Sequence, residues 1–258
     1  MLNKEIVSQL RDKADALYAN TLQRTYFRVF GHQVEQRFAI VGNARTGSNY
    51  LLDGLKSSPA IRVYHEIFAS HNRRVGEDFE KILSTVFQYE SRSVQLVGFK
   101  VFYNHLTEEE WNKLLACPGL KVIHLTRRNR LRTVISLEIA FKTGQWTRSG
   151  SSGGPREKRV TLDPVKLIDR LEQIEAGEIA TRERFCDRPV LEIVYEDLVR
   201  SPQEVFEAVG TFLEVQGIDP GKIRLKKQNP ETLPQLIVNY DEVAALLQNT
   251  RFAAYLDD

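Results

Sequence analysis

Arg37-Phe-Ala-Ile-Val-Gly-Asn-Ala-Arg-Thr-Gly-Ser-Asn-Tyr-Leu-Leu52 is the stretch from which the rest of the chain is read. Phe38 to Val41 is a short apolar run of strand length. Gly42 to Ser48 is small, polar and glycine-bearing, and Asn49 to Leu55 then sets Tyr50, Leu51, Leu52 and Leu55 at helical spacing. Strand, glycine loop and helix in that order point backbone N–H groups and a positive helix end at an anion. Glycine lets the backbone approach a phosphate closely, and successive N–H groups form a nest around it. The spacing Gly42-x-x-x-x-Gly47 is also that of an ATP-binding P-loop, which continues with Lys and then Ser or Thr. Ser48 and Asn49 follow here, and the cation sits inside the loop at Arg45. That cation, followed by Thr46-Gly47-Ser48, suits a ligand whose terminal group is transferred without a magnesium bridge. The plain alternative is an ordinary βα turn with a surface arginine.

A chain of 258 residues is long enough for one large α/β domain, and no clear linker divides it. The net charge of +2 does not call for nucleic acid, so any anion site must come from local clusters. Cys117 and Cys186 lie far apart without metal-ligand spacing, which predicts no metal site and a reducing compartment. With no apolar signal core or spanning run, the expectation is a cytoplasmic protein without stable membrane insertion. The oligomeric state stays open, a homodimer among the options.

Outward from the loop, Ile6, Leu10, Ala14 and Leu17 predict a leading helix over 4–19 within an N-terminal extension (1–35), with aromatic Tyr26 to Phe30 packing it onto the domain. Ile61 to Tyr64 reads as a second strand with His65-Glu66 at its carboxyl end, where parallel sheets gather their chemistry. Glu66 is a candidate general base. His65 is the alternative, since its unperturbed pKa lies nearer neutrality. Phe79 to Tyr89 predicts a helix, and Val94 to Phe102 a third strand with Lys100 inside its apolar run. A lysine there is costly unless its amine reaches water, a carboxylate or an anion. An anion at the strand end is the reading taken, with snorkelling as the bland one.

Thr107-Glu-Glu-Glu110 has the outline of a capping box and opens a helix to Leu115. The fourth strand, Leu120 to Thr126, runs into Arg127-Arg-Asn-Arg-Leu-Arg132. Four arginines at a strand-to-helix junction predict a compact positive site suited to phosphate. Ser136 lies eight residues after Arg128, two turns into a helix that runs to about Lys142. Residues 144–160 read as a flexible loop, Pro164 to Phe185 as a long helix and Pro189 to Tyr195 as the last strand. Ser201-Pro-Gln-Glu204 starts another helix, Lys222 to Lys227 is basic, and a terminal helix begins near Asn239. The sum is an α/β, P-loop-like three-layer fold, with a central, mostly parallel sheet flanked by helices.

Together these residues resemble sulfotransferases that use 3′-phosphoadenosine 5′-phosphosulfate (PAPS), over most of the chain from Phe38 to Tyr255. Arg45-Thr-Gly-Ser-Asn-Tyr50 is similar to the family's 5′-phosphosulfate loop. Arg128 with Ser136 matches its 3′-phosphate element, although Arg130-Leu131 stands where the family often has Pro-Arg. Val194 to Leu198 with Ser201-Pro202 is similar to a late structural strand and turn. The bacterial carbohydrate enzymes, of the nodulation-factor and trehalose kinds, are the nearest in pattern. The resemblance implies Glu66 as the base, Lys100 as the lysine of the next strand and Lys226-Lys227 as part of a basic loop over the nucleotide. The cytosolic phenol and steroid enzymes place a histidine where this chain has Phe102, and His105 lies further on.

The implied activity is transfer of a sulfuryl group from PAPS to a hydroxyl of a carbohydrate or glycolipid, by in-line displacement without metal. The resemblance makes Glu66, Arg45 and Lys100 catalytic and gives the donor to Arg45, Thr46, Gly47, Ser48, Asn49, Tyr50, Arg128, Ser136, Lys226 and Lys227. Two other readings stand beside it. One is an ATP-dependent small-molecule kinase or NTPase with a degenerate P-loop. The other is a non-catalytic module holding nucleic acid on the arginine cluster, with strongly salt-dependent binding.

Overall fold

A computed structural model describes residues 25–73, 77–146, 157–225 and 228–257. The leading helix expected over 4–19, the middle of the 144–160 loop and Lys226-Lys227 lie outside the described residues.

Five strands form the central sheet: β1 (Gln36–Gly42), β2 (Ile61–Tyr64), β3 (Leu96–Phe102), β4 (Leu120–Thr126) and β5 (Val190–Val194). Every neighbouring pair is parallel, in the order β2-β3-β1-β4-β5. β1 is central, with Val41 in register between Val101 and His124. Such strands are covered on both faces and so read as continuous apolar runs. All seven residues of β3, Lys100 included, are buried. β2 and β3 lie on one side of β1, β4 and β5 on the other. The carboxyl end of β1 is therefore a topological switch point, where open α/β sheets bind ligands.

Beside a helical stretch over residues 25–30, the α-helices of the described residues are α1 (Ser48–Leu55), α2 (Phe79–Val86), α3 (Glu108–Leu115), α4 (Arg130–Thr143), α5 (Pro164–Arg184), α6 (Tyr195–Arg200), α7 (Pro202–Leu213), α8 (Leu233–Leu236) and α9 (Tyr240–Gln248). One face of the sheet packs Val97, Phe99 and Val101 against Phe68, Phe79 and Trp111. The other packs Ile40 and Ile123 against Leu51, Leu55 and Phe206. A third cluster joins Leu131 and Ile135 of α4 to Leu167 and Leu171 of α5 and to Leu247. The capping box at Thr107 is formed, both of its hydrogen bonds being present.

Two expectations change. The helix expected over Phe79 to Tyr89 ends at Val86, and Tyr89–Glu90 pairs antiparallel with His32–Gln33 instead. The cause is long-range: buried Glu90 takes an ion pair from Arg62 at 3.5 Å and a hydrogen bond from the Tyr64 hydroxyl at 3.3 Å. Tyr26 and Phe30, expected to be packed, are exposed by 58% and 59%.

Candidate active site

The loop between β1 and α1 is built by backbone conformation. Arg45 and Gly47 both have positive φ, at 67° and 85°. At Gly47 a Cβ would sit 2.5 Å from Cδ2 of Tyr195, so only glycine fits under that ring. Arg127 packs on the same ring, its guanidinium 4.5 Å from the centroid, and donates to the Arg45 carbonyl at 3.3 Å. The Thr46 hydroxyl donates to the Asn43 carbonyl at 2.8 Å and closes the turn. No side chain caps α1, and the first N–H groups bonded back within its turn are those of Tyr50 and Leu51. The N–H groups before them have no intrahelical acceptor.

That loop opens on a cleft lined among others by Arg45, Ser48, Tyr50, Arg132, Ser136 and Gln228. Arg45 reaches along it. Its Nε donates to Ser136 Oγ at 3.0 Å, Nη1 to the Trp146 carbonyl at 2.7 Å, and Nη2 to Gln228 Oε1. All three partners are neutral. Burial, then neighbouring Arg127, lowers its pKa to about 10. Asn229 Nδ2 donates to the same Ser136 hydroxyl at 3.3 Å, and Arg132 Nη1 holds the Glu231 carbonyl at 2.9 Å. Gln228 Nε2 is buried without a hydrogen-bond partner.

At the ends of β2 and β3 the residues read separately from the sequence come together. Lys100 is 1% exposed, and its ammonium lies 2.8 Å from Glu66 Oε1 and 2.7 Å from Asn49 Oδ1. Burial pushes its pKa down, and the hydrogen bond and charge of Glu66 oppose that shift. Lys100 is thus paired with a carboxylate, which answers the cost of a lysine inside an apolar strand. His65 Nε2 faces the Lys56 ammonium at 2.8 Å, and burial, Lys56 and Lys100 lower its pKa. His105 Nδ1 accepts the Phe102 N–H at 3.1 Å.

The four arginines after β4 do not form one site. Arg130 is bound to Glu178, Glu175 and the Tyr255 hydroxyl. Arg128 is 57% exposed and pairs with Asp197 at 2.5 Å, off the cleft wall. Arg127 and Arg132 line the cleft instead. Ser136 thus meets Arg45 rather than Arg128. Sequence reading gave Tyr195 only a structural place in the late strand and turn, named Gln228 only as the end of the Lys226-Lys-Gln228 match to a basic loop, and did not single out Trp146 or Asn229. Tyr195 follows directly on β5, at a strand end, which was a usable signal; Trp146 and Asn229 carried none.

No family model matches the chain. It is 26% identical over 237 residues to Nodulation protein H of Rhizobium meliloti (strain 1021), covering 86% of this chain and 95% of that protein. Among solved structures, a sulfotransferase from Alicyclobacillus acidocaldarius aligns with TM-score 0.48 and 20% identity, covering 86% of this chain and 94% of that one. The mouse sulfotransferase SULT7A1, complexed with PAP, aligns with TM-score 0.46 and 14% identity over 90% of this chain and 78% of its own. Matched along nearly the whole length of Nodulation protein H, and with the glycine loop after β1 at the head of its sheet, this chain resembles the sulfotransferase family.

Proposed function

We propose that the protein transfers a sulfuryl group from PAPS to a hydroxyl of a carbohydrate or glycolipid, with Glu66 as general base. The observation that carries this reading is the buried Lys100 ammonium held between Glu66 and Asn49, beside an uncapped helix and an arginine-lined cleft. The residues present suit the donor. An anion gives acceptors to the N–H groups at the start of α1, and the orphaned Gln228 Nε2 lacks one.

PAPS supplies the sulfuryl group and, as PAP, the leaving group. Arg45, Thr46, Gly47, Ser48, Asn49 and Tyr50 would hold its 5′ end. Ser136, with Asn229 and Arg132 alongside, would hold the 3′-phosphate. The resemblance adds Arg128, once it leaves Asp197, and Lys226 and Lys227. Glu66 takes the proton of the acceptor hydroxyl. Lys100 occupies Oε1 and a base needs one oxygen, so the ion pair orients the carboxylate without blocking it. Lys100 and Arg45 place positive charge where negative charge develops. His65 is a poorer base, because the nitrogen that would accept the proton already faces Lys56.

Thermal shift with adenosine 3′,5′-bisphosphate against ATP plus magnesium tests the donor. Stabilisation by ATP alone overturns it. The chemistry is tested with ³⁵S-labelled PAPS and a panel of neutral disaccharides and chito-oligosaccharides. Glu66→Gln should lower transfer about 10²–10⁴-fold, the usual reach of general-base catalysis, with bisphosphate affinity nearly unchanged. Normal turnover by that variant removes Glu66 from the role.

A further inference from the structure

The segment that carries Glu66 has no regular secondary structure. From β2 it turns through Ile67 N–H to the His65 carbonyl at 2.7 Å and Ala69 N–H to the Glu66 carbonyl at 3.1 Å. Asn72 Nδ2 donates to the Glu66 carbonyl at 2.7 Å, and Phe68 anchors the turn in the core at 0% exposure. A loop of this kind positions a carboxylate only if something ties it to a rigid element.

Arg73 supplies the tie. Its Nε donates to the Phe68 carbonyl at 2.9 Å, and its Nη2 to the His105 carbonyl at 2.9 Å. Nη1 and Nη2 also form a fork on Glu110, at 2.6 and 3.1 Å. Glu110 is fixed in turn by the capping box of α3, through the Thr107 N–H at 3.0 Å. One guanidinium therefore joins the Glu66 turn to the exit of β3, and β3 carries Lys100. The Lys100–Glu66 ion pair spans the same two segments.

We propose that Arg73 is a positioning residue that sets the seat of Glu66 against Lys100. A planar fork with donors on two sides fixes two segments at once, which a lysine does not reproduce. The activity readout rests on the function proposed above; the structural readout does not.

The test compares Arg73→Ala, Arg73→Lys and Glu110→Gln with the unchanged chain, using the disaccharide or chito-oligosaccharide of highest turnover. Arg73→Ala should lower kcat at least tenfold, change bisphosphate Kd less than twofold, and be rescued only partly by Arg73→Lys. In a Glu66→Gln background, Arg73→Ala should cost less than twofold more, because residues acting through one group are not additive. An equal loss in both backgrounds, or an unchanged kcat in a folded Arg73→Ala protein, overturns the proposal. If Arg73→Ala does not fold, Arg73→Lys and Glu110→Gln carry the same comparison. Crystals of the variants decide independently of activity. The carboxylate of Glu66 should leave its 2.8 Å seat on Lys100, and retention of that contact overturns the proposal. If instead the Glu66→Gln chain turns over normally, the base assignment fails, and the crystals alone judge Arg73.

Discussion

Two strand-to-helix junctions look alike in the sequence and are built on opposite principles. After β1, the turn into α1 is shaped by positive φ at Arg45 and Gly47, has no side-chain cap, and gives its one cation three neutral partners. After β4, the turn into α4 is capped by Asn129, whose side chain accepts the Arg132 N–H, and by Glu196, which accepts the Arg128 N–H at 3.0 Å. Three of its four arginines pair with carboxylates of α5 and α6: Arg130 with Glu178, Arg128 with Asp197, and Arg127 with Glu196 at 3.9 Å. Arginine count alone therefore does not locate an anion site. An arginine with neutral partners can exchange them for an anion at little cost. One bound to a buried carboxylate must first break an ion pair.

The largest effect that could break this contrast is on stability. Glu178 is 4% exposed and holds Arg130 at 2.6 Å. Glu178→Gln should cost about 3 kcal/mol, the low end for breaking a buried pair, because Glu175 still holds Arg130 at 3.2 Å. Chemical denaturation measures this, and bisphosphate affinity of the folded fraction should stay unchanged. A large affinity loss at full stability would mean that Arg130 serves the ligand.

Next in size is Arg45→Ala, which should weaken adenosine 3′,5′-bisphosphate binding about 100-fold, or about 2.7 kcal/mol, by calorimetry. Arg128→Ala should weaken it less than tenfold, since its guanidinium is exposed and spent on Asp197. Asp197→Asn sharpens the comparison. If Arg128 trades that carboxylate for the 3′-phosphate, the variant should bind more tightly, by a few-fold. Arg128→Ala exceeding Arg45→Ala would reverse the ranking of the two junctions.

The contrast also explains what the sequence made legible. The β1 loop was readable because its determinants are local: an apolar run, two glycines, a cation between them and a helical repeat. Lys100 and Glu66 were each readable as oddities, a charge inside a strand and a carboxylate at a strand end, and the sheet order brings them together. The destinations of the arginines were not readable. Their acidic partners, Glu175, Glu178 and Asp197, lie 45 to 69 residues away on helices of ordinary composition. The same holds for the contacts of Gln228 and Asn229, polar residues that reach Arg45 and Ser136 across more than ninety residues. The end of α2 was misread for the same reason, since Glu90 is captured by β2.

The smallest expected effect concerns the exit of β3, where Arg73 and Lys100 meet the Glu66 turn. His105 sits there with its Nδ1 accepting the Phe102 N–H, a bond available only to the neutral ring. Burial is the main cause that holds its pKa down to about 4; Glu66 opposes this, while Lys100, His71 and Arg73 add to it. A base whose folded pKa lies below its unfolded value of about 6.5 is protonated more readily in the unfolded chain. Its contribution to stability is therefore complete above pH 6.5 and is lost as the pH falls through 4. His105→Asn can place its side-chain carbonyl where Nδ1 stood and carries no titrating group. The melting temperature of the variant should fall less between pH 7 and pH 4.5 than that of the unchanged chain, by a few degrees at most. An identical fall in both proteins would show that His105 titrates alike in the folded and unfolded states, and that the β3 exit is open to water in a way its hydrogen bonds do not indicate.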